Sequence, residues 1–164
     1  MISEENEIFV KGETLFKGYV KDAELSFPFN ANGYFATGDL GHFADDGNLI
    51  VNGRKDNMFI SGGENIHPEE IECCLCQMEC IERAIVVPIS HNEYGFRPVA
   101  FVKASEKISR NDAVDFLKER LSSFKIPEQF YRWPDEKEAE NLKINRRFLA
   151  LLLEEQLTSL VTIE

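Results

Sequence analysis

The chain has 164 residues, 43% of them hydrophobic, and a formal net charge of −11 at pH 7. This length suffices for one domain, or for one small domain with part of another, and the hydrophobic content suffices for a packed core. The acidic charge disfavours nucleic acid and anionic membrane surfaces as main partners, although small anions respond to local charge.

The N-terminal residues are acidic and lack the basic and apolar regions of a signal peptide. No apolar run approaches the length needed to span a membrane. We therefore expect a cytoplasmic protein with no membrane partner.

Residues 1–53 predict a set of β-hairpins. Two dipeptides typical of tight turns, Asn32-Gly33 and Asp46-Gly47, separate short runs of β-forming residues. The expected strands are residues 7–11, 34–36, 40–44 and 48–52. Large aliphatic residues are few here, so this part would form a poor core alone, and we expect it to pack on another body.

Residues 53–72 lie where the character of the chain changes. A short apolar run at 58–60 ends in the pair Gly62-Gly63, and Pro68 then begins an acidic segment. Glycines permit positive φ or close approach of another molecule to the backbone. Proline suits the first turn of a helix, and acidic residues there favour the helix dipole. The pattern predicts a strand, a tight turn and a helix, forming a joint between two rigid bodies.

The rest of the sequence predicts a small α+β sandwich, because its expected elements have the order β-α-β-β-α-β-α. A helix is expected over residues 68–78, and Ser109 is the predicted N-cap of a second helix that reaches Leu121. The other expected elements are strands at 84–89, 98–102 and 129–133 and a last helix over about 145–157.

Four cysteines, Cys73, Cys74, Cys76 and Cys80, fall within eight residues. Three of them, Cys73, Cys76 and Cys80, would lie near one face of a helix, which suggests a metal site. However, the paired CxxC spacing of zinc sites is absent, and no nearby histidine lies in ligand register. We therefore predict no metal site and interpret these residues as small, partly buried helix residues.

Two residues near the predicted hairpins are candidates for binding a sugar or a phosphate. Asp39 follows Thr37-Gly38 on a loop, where a carboxylate can accept hydrogen bonds from two neighbouring hydroxyls. The alternative for Asp39 is a turn aspartate that caps its own backbone. Arg54 has a fork of donors suited to phosphate, and its alternative is a surface ion pair with Asp56 or Glu64.

Lys143 is the candidate for phosphoryl chemistry. It lies just before the last helix, among basic residues that oppose the helix dipole and so suggest an anion nearby. A lysine can offset oxyanion charge in a transition state as a mobile point charge. The alternative is an ordinary solvated basic patch.

Taken together, three motifs resemble the signature series of the adenylate-forming superfamily, which includes acyl- and aryl-CoA ligases, luciferases and peptide-synthetase adenylation domains. They are GYFATGD at residues 33–39, GRKD at 53–56 and SGGENIHPEEIE at 61–72. EIFVKG at 7–12, followed by Gly18-Tyr19, resembles the motif just upstream of that series, so the resemblance covers nearly the whole chain. Within the superfamily, Val87-Pro88, EYGFRPVA at 93–100 and KINR at 143–146 are most similar to o-succinylbenzoate–CoA ligases of menaquinone synthesis.

The resemblance implies an ATP-dependent, AMP-forming acid–CoA ligase. A carboxylate would attack the α-phosphate of ATP, which enters with Mg²⁺, to give an acyl-adenylate and pyrophosphate. The thiol of CoA would then displace AMP. Asp39 matches the aspartate that holds the ribose hydroxyls, and Arg54 matches an arginine that also contacts the nucleotide.

The remaining roles implied by the resemblance concern movement and the second step. Asp56 matches the hinge of a mobile C-terminal domain, with Lys55 as the neighbouring candidate. Lys143 matches the lysine that bridges carboxylate and phosphate during adenylation. Gly62 and Gly63 match a turn that lines the pantetheine path of CoA.

The implied fold is α+β. Residues 1–53 would end a larger N-terminal domain as β-hairpins, residues 54–57 would be the hinge, and residues 58–164 would form a small lid domain with a central β-sheet flanked by helices. The superfamily's phosphate loop and acyl pocket belong to the large domain, and this sequence contains nothing like that loop. We therefore expect an inactive fragment that binds no cofactor tightly and whose partners are the missing domain and small-molecule substrates. The surface left uncovered would favour self-association.

The sequence departs from the superfamily pattern at the lysine. In many members a glycine precedes the catalytic lysine, whereas Leu142 precedes Lys143 here. Lys137 is the alternative position, although Lys143 followed by Ile144 and a basic helix start is the better match. Two other functions stay open: another aryl- or fatty-acyl-CoA ligase, and a stand-alone lid-like module for binding or interaction.

Overall fold

The computed structural model describes residues 1–134, 144–154 and 162–163. The chain divides into two compact units, Met1–Asp56 and Asn57–Glu164. A 3₁₀ turn at Lys55–Asn57 lies in the chain at this division.

All the strand pairings described in the first unit are antiparallel. A three-stranded sheet has the order β1-β4-β5, and β2 pairs with β3 in a separate hairpin. The strands are β1 (Glu7–Val10), β2 (Tyr19–Lys21), β3 (Glu24–Ser26), β4 (Phe35–Phe43) and β5 (Leu49–Arg54). The predicted Asp46-Gly47 turn joins β4 to β5, with Gly47 at a φ of +83°.

The two strands predicted at residues 34–36 and 40–44 are one strand, β4. Gly38 lies inside it with a φ of +75°, and the register with β5 shifts between Leu40 and Gly41. A positive-φ glycine therefore bends the strand without ending it. The sequence pattern alone suggested an interruption at this glycine.

Among its described residues, the second unit contains one five-stranded sheet and three helices, so the α+β prediction is confirmed. Strand β9 pairs antiparallel with β8 and β6 and parallel with β10, while β7 pairs with β6. The strands are β6 (Phe59–Ser61), β7 (Glu64–Ile66), β8 (Ile81–His91), β9 (Gly95–Ala104) and β10 (Gln129–Arg132), and the helices are α1 (Pro68–Leu75), α2 (Arg110–Lys118) and α3 (Arg146–Glu154).

The hairpin β8–β9 is buried on both faces. Alternate residues such as Val86 and Ala100 join the cluster that includes Ile71, Leu75 and residues of α2. Their neighbours, including Val87 and Phe101, join a second cluster with Leu149 of α3. Because side chains alternate across a strand, a sheet covered on both sides requires continuous apolar runs. This explains why residues 84–89 and 98–102 read as buried strands.

The strand–turn–helix prediction for residues 58–72 is incomplete. Gly62-Gly63 joins two strands, β6 and β7, and α1 begins only at Pro68. Strand β7 is three residues long and buries only Ile66. It shows no alternating pattern in the sequence and is defined by its pairing with β6.

The helices end earlier than predicted. Helix α1 ends at Leu75 and α2 at Lys118, rather than at residues 78 and 121. Cys80 therefore lies beyond α1, and the shared helix face proposed for Cys73, Cys76 and Cys80 does not exist. The predicted α3 residues 155–157 lie outside the described residues.

No helix in the described part of the chain is long and apolar enough to cross a membrane.

The predicted N-cap at Ser109 gives a test of the second unit. Its Oγ accepts a hydrogen bond of 3.1 Å from the Asp112 amide, whereas Ser122, at the start of a 3₁₀ turn, makes no side-chain cap. We expect Ser109→Ala to lower the free energy of unfolding by about 1 kcal/mol and Ser122→Ala to change it much less. Urea denaturation of both variants measures this, and equal losses would show that the cap does not stabilise α2.

Candidate functional site

Asp39, Arg54 and Asp56 form a cluster, called here the Arg54 cluster, at one end of the first unit's sheet. The register of β4 and β5 places Asp39 directly opposite Arg54. Arg54 is the last residue of β5, and Asp56 follows it in the 3₁₀ turn. Strand pairing therefore brings together two residues that the sequence separates by a hairpin.

Arg54 binds both carboxylates. Its Nε and Nη2 donate to the two oxygens of Asp56 at 3.0 and 3.3 Å. Its Nη1 donates to Oδ1 of Asp39 at 3.2 Å and to the Thr37 carbonyl at 2.9 Å. The alternative predicted for Arg54, an ion pair with Asp56, is thus present. The contact with Asp39 involves only Oδ1, so Asp39 Oδ2 has no hydrogen-bond donor among the described residues.

Thr37 and Gly38 fix the Asp39 carboxylate. The Thr37 hydroxyl donates to the Ile8 carbonyl at 2.9 Å and accepts from the Asp39 amide at 3.0 Å. Gly38 has a φ of +75°, and a Cβ there would lie 3.1 Å from Arg54 Nη2. Threonine thus supplies the local backbone cap, and the Asp39 side chain, 38% exposed, stays available to a ligand.

Lys55 points to a different set of partners. Its Nζ contacts Glu5 at 2.8 Å and Glu7 at 3.2 Å, both within the first unit. The hydrogen bond that Lys55 donates to Glu5, together with the one it donates to Glu7, raises the pKa of Lys55. Lys55 and Asp56 therefore both make their side-chain contacts to residues that precede the division between the units.

Gly62 and Gly63 form a two-residue hairpin turn, called here the glycine turn, between β6 and β7. Their φ values are +59° and +88°, which an Asn-Gly or Gly-Gly pair adopts with least strain. A Cβ on Gly62 would meet Phe124 at 3.0 Å, whereas a Cβ on Gly63 would meet no atom within 4 Å. Gly62 is thus packed from behind, and Gly63 presents bare backbone to open space.

Arg97 supports the glycine turn, a role that was not predicted from its place in a motif. Its guanidinium donates to the carbonyls of Phe124 and Ile126, each at 3.2 Å, and to Ser61 Oγ at 3.4 Å. Ser61 is fully buried. Arg97 therefore ties the end of β6 to the segment that packs behind Gly62.

Lys143 and its alternative Lys137 lie outside the described residues. The description resumes at Ile144, which is 8% exposed and packs with Val87 and Phe101. Arg146, two residues later, binds Glu69 and Glu72 of α1. The sequence pattern did not identify this ion pair, because its members are more than 70 residues apart.

The Arg54 cluster can be tested by titration. The hydrogen bonds from Arg54 hold the pKa of Asp56 below its usual range, so the pair is intact at neutral pH and is lost as pH falls through the lowered pKa. We expect Arg54→Gln to raise the pKa of Asp56 toward about 3.9, the ordinary value.

Asp46 is the internal control for this titration. Hydrogen bonds from the Asn48 amide and side chain lower its pKa, independently of Arg54. NMR titration of the carboxyl carbons should show the Asp56 shift and no Asp46 shift in the variant. An unchanged pKa of Asp56 would contradict the contact.

Comparison with known proteins identifies the family. Residues 70–142 match the family described as the AMP-binding enzyme C-terminal domain. The 2-succinylbenzoate–CoA ligase of Haemophilus influenzae is 40% identical over 148 residues, which cover 88% of this chain and 32% of that protein. The chain therefore spans about a third of the length of this relative.

Solved structures agree with this match. E. coli MenE, solved with an m-phenylether-linked analogue of OSB-AMS, is 31% identical with a TM-score of 0.80, covering 95% of this chain and 34% of that one. The o-succinylbenzoate CoA synthetase of Bacillus subtilis, in complex with the acyl-adenylate intermediate OSB-AMP, is 35% identical with a TM-score of 0.73, covering 87% and 30%. The B. subtilis protein has also been solved with ATP and a magnesium ion.

The family match begins within the motif at residues 61–72, and the similarity to the relatives and to the solved structures extends over most of the chain. The chain carries the C-terminal AMP-binding domain of the adenylate-forming superfamily and is homologous to AMP-forming acid–CoA ligases.

Proposed function

We propose that this chain is the C-terminal part of an ATP-dependent acid–CoA ligase whose substrate is o-succinylbenzoate. The observation that carries the proposal is the Asp39 carboxylate, which Arg54 holds through one oxygen while no described residue donates to the other. A free carboxylate oxygen beside a guanidinium fits ribose hydroxyls close to a phosphate. The proteins that this chain resembles bind ATP or acyl-adenylates.

In the first step, the acid's carboxylate oxygen attacks the α-phosphorus of ATP, and the bond to pyrophosphate breaks. ATP enters as its Mg²⁺ complex, and the ion offsets charge on the phosphates. Asp39 accepts hydrogen bonds from the ribose hydroxyls, and Arg54 contacts the same nucleotide. The Lys143 ammonium offsets charge on the carboxylate and the phosphate as the new bond forms.

In the second step, the thiol of CoA attacks the acyl carbon and AMP leaves. We assign Gly62 and Gly63 to the path of the pantetheine arm, because the Gly63 backbone faces open space with no side chain to obstruct it. The first step needs Lys143 and the second needs the glycine turn. We propose that residues 54–57 act as the hinge that exchanges them, with Asp56 as the pivot and Lys55 as its neighbour.

The exposed apolar surface of the first unit favours the proposal that a large domain packs against it. Several of its apolar side chains are strongly exposed, among them Val20 at 75%, Phe27 at 66% and Phe43 at 60%. Apolar groups exposed to this extent are typical of a surface that another body covers. We propose that the partner is the adenylating domain, which brings the phosphate loop and acyl pocket, and that residues 1–53 complete it.

The acyl substrate is the part of the proposal that depends most on similarity. In the superfamily the acyl pocket lies in the large domain, so residues of this chain select the acid only indirectly. Another aryl- or fatty-acyl-CoA ligase is therefore the competing assignment, and product analysis of the complete enzyme discriminates between them.

The proposed function predicts that this chain completes a truncated relative. We define the hybrid ligase as the H. influenzae 2-succinylbenzoate–CoA ligase with its matching C-terminal segment replaced by residues 1–164. It should form o-succinylbenzoyl-CoA, detected by mass spectrometry, from the acid, ATP and CoA. A folded hybrid that forms no CoA thioester from any aryl or fatty acid would contradict the ligase function.

Lys143→Ala in the hybrid should lower the adenylation rate by about 10²-fold or more, because it removes a charge placed at the transition state. Lys137→Ala is the matched control and should change this rate little. Pyrophosphate–ATP exchange measures it. If Lys137→Ala were the damaging change, the catalytic lysine would have to be reassigned.

The glycine turn has a matched control in the first unit. Gly63 and Gly47 both have positive φ, and a Cβ on either would meet nothing within 4 Å. In the hybrid, Gly63→Ala should slow transfer from acyl-adenylate to CoA by about 10-fold, since a methyl group enters the pantetheine path. Gly47→Ala should leave both steps within about two-fold. Equal effects of the two variants on CoA transfer would remove the glycine turn from the CoA path.

A further inference from the structure

The hairpin that carries the glycine turn is short and narrowly attached to the rest of its sheet. Strands β6 and β7 have three residues each, and in the described pairings β6 meets β9 at a single residue pair, Ser61 with Gly95. The Gly62 amide adds one hydrogen bond, of 2.9 Å, to the Tyr94 carbonyl. A two-stranded hairpin is marginally stable by itself. The position of the turn therefore depends on the contacts of Ser61 and Gly62.

Arg97 joins this hairpin to the segment behind the turn. Its Nη1 donates to Ser61 Oγ at 3.4 Å and to the Phe124 carbonyl at 3.2 Å, and its Nη2 donates to the Ile126 carbonyl at 3.2 Å. Ser61 is the residue immediately before the turn. The Phe124 ring lies 3.0 Å from the place of a Cβ on Gly62. One guanidinium thus connects the residue that enters the turn to the residue packed behind it.

The segment behind the turn is itself anchored to α1. Phe124 belongs to a 3₁₀ turn, Ser123–Lys125. Lys125 Nζ contacts the two carboxylate oxygens of Glu70 at 2.7 and 2.6 Å. Because this ion pair fixes the segment to a helix, Arg97 ties the glycine turn to a held part of the domain rather than to a free loop.

Arg97 contributes geometry more than charge at this place. The guanidinium is half-buried, and its described hydrogen bonds go to two carbonyls and one hydroxyl, all uncharged. The Tyr94 ring, whose centroid lies 5.6 Å from the guanidinium carbon, is also neutral. A planar fork of donors can hold several acceptors at fixed positions, which an ammonium or an amide cannot do. The contacts therefore indicate that this arginine sets the position of the turn.

We infer that Arg97 is a positioning residue for acyl transfer to CoA, acting through Ser61 and Phe124 to hold the glycine turn beside the pantetheine path. In that step the CoA sulfur bonds to the acyl carbon, the thiol proton passes to solvent and AMP leaves. The inference rests on the proposed function, because it needs the glycine turn to line that path. The proposed first step does not use the glycine turn, so adenylation should not depend on Arg97.

Arg110 supplies the matched control. It is the first residue of α2, and its Nη2 donates to the Glu128 carbonyl at 3.3 Å. This is also an arginine bond to a main-chain carbonyl, two residues beyond Ile126. Arg97→Gln and Arg110→Gln remove the same charge from the second unit, so a general electrostatic effect would appear in both. Only the first removes the contacts with Ser61 and Phe124.

The kinetic experiment compares the two half-reactions in the hybrid ligase. Transfer to CoA is followed from synthetic acyl-adenylate, and adenylation is followed by pyrophosphate–ATP exchange. We expect Arg97→Gln to lower kcat/KM for CoA in the transfer step by about 10-fold, since misplacement by about 1 Å costs up to about 10²-fold. Its adenylation rate should stay within about three-fold, and Arg110→Gln should leave both steps within about two-fold.

Hydrogen exchange reports the position of the turn without reference to activity. The Gly62 amide is bonded to the Tyr94 carbonyl, so a less firmly held turn should exchange faster. In the hybrid ligase, Arg97→Gln should speed exchange in residues 61–63 by about 10-fold, and Arg110→Gln should not change it. Arg97→Lys serves if Arg97→Gln fails to fold. It keeps the charge but not the fork, so its exchange and transfer rates should lie between those of wild type and Arg97→Gln.

The possible outcomes separate the inference from the function on which it rests. Slower CoA transfer in Gly63→Ala but not in the Arg97 variants would overturn the positioning role alone. Equal slowing of both half-reactions by Arg97→Gln, or equal effects of Arg97→Gln and Arg110→Gln, would reduce Arg97 to a structural contact and also overturn it. Full CoA transfer in both Gly63→Ala and Arg97→Gln would overturn the assignment of the glycine turn and the inference together.

Discussion

The pairing of β8 with β9 is the constraint on which the second unit depends. Ten residue pairs join these strands, and both faces of the hairpin are buried. Because both faces of the hairpin are buried, the backbone N–H and C=O groups on its outer edge need hydrogen-bond partners. Glu72 and Arg146 do this at Val86, and in doing so they join α1, the sheet and α3. The same contact thus closes the sheet edge and fixes the residues after Lys143.

This arrangement gives a physical basis for the proposed use of one domain in two reactions. The glycine turn is supported by Arg97 and the segment around Phe124, whereas the segment that follows Lys143 is supported by Arg146 and α1. Lys125, the neighbour of Phe124, binds Glu70 of α1 at 2.6 Å and so links the two supports. A rigid body that carries two such sites can offer either one by rotation, without rebuilding its core. The Arg54 cluster lies in the other unit and includes two residues of the proposed hinge, and in the proposed function it binds the nucleotide common to both steps.

The sequence predicted the fold class, the buried hairpin and the Ser109 cap because these depend on local patterns of apolar and capping residues. It missed β7, which buries one residue and exists through pairing with β6. It divided β4 at Gly38, because a glycine that bends a strand and one that ends it look alike in sequence. Asp39 and Arg54 were found through motif resemblance, but their contact follows from strand register. The contacts of Arg97 and the ion pairs of Arg146 with Glu69 and Glu72 join distant residues, which no local pattern reveals.

In the proposed mechanism, the second unit rotates about residues 54–57 to exchange Lys143 for the glycine turn. This rotation can be measured as the distance between two spin labels on the hybrid ligase, in which the exposed native cysteines are replaced. One label is attached at Lys118→Cys, an exposed position of α2, and the other is attached to the adenylating domain. Pulsed electron spin resonance should give one distance with ATP and a nonreactive acid analogue. It should give a clearly different distance with a nonhydrolysable acyl-adenylate analogue and CoA. The same distance in both states would contradict the rotation.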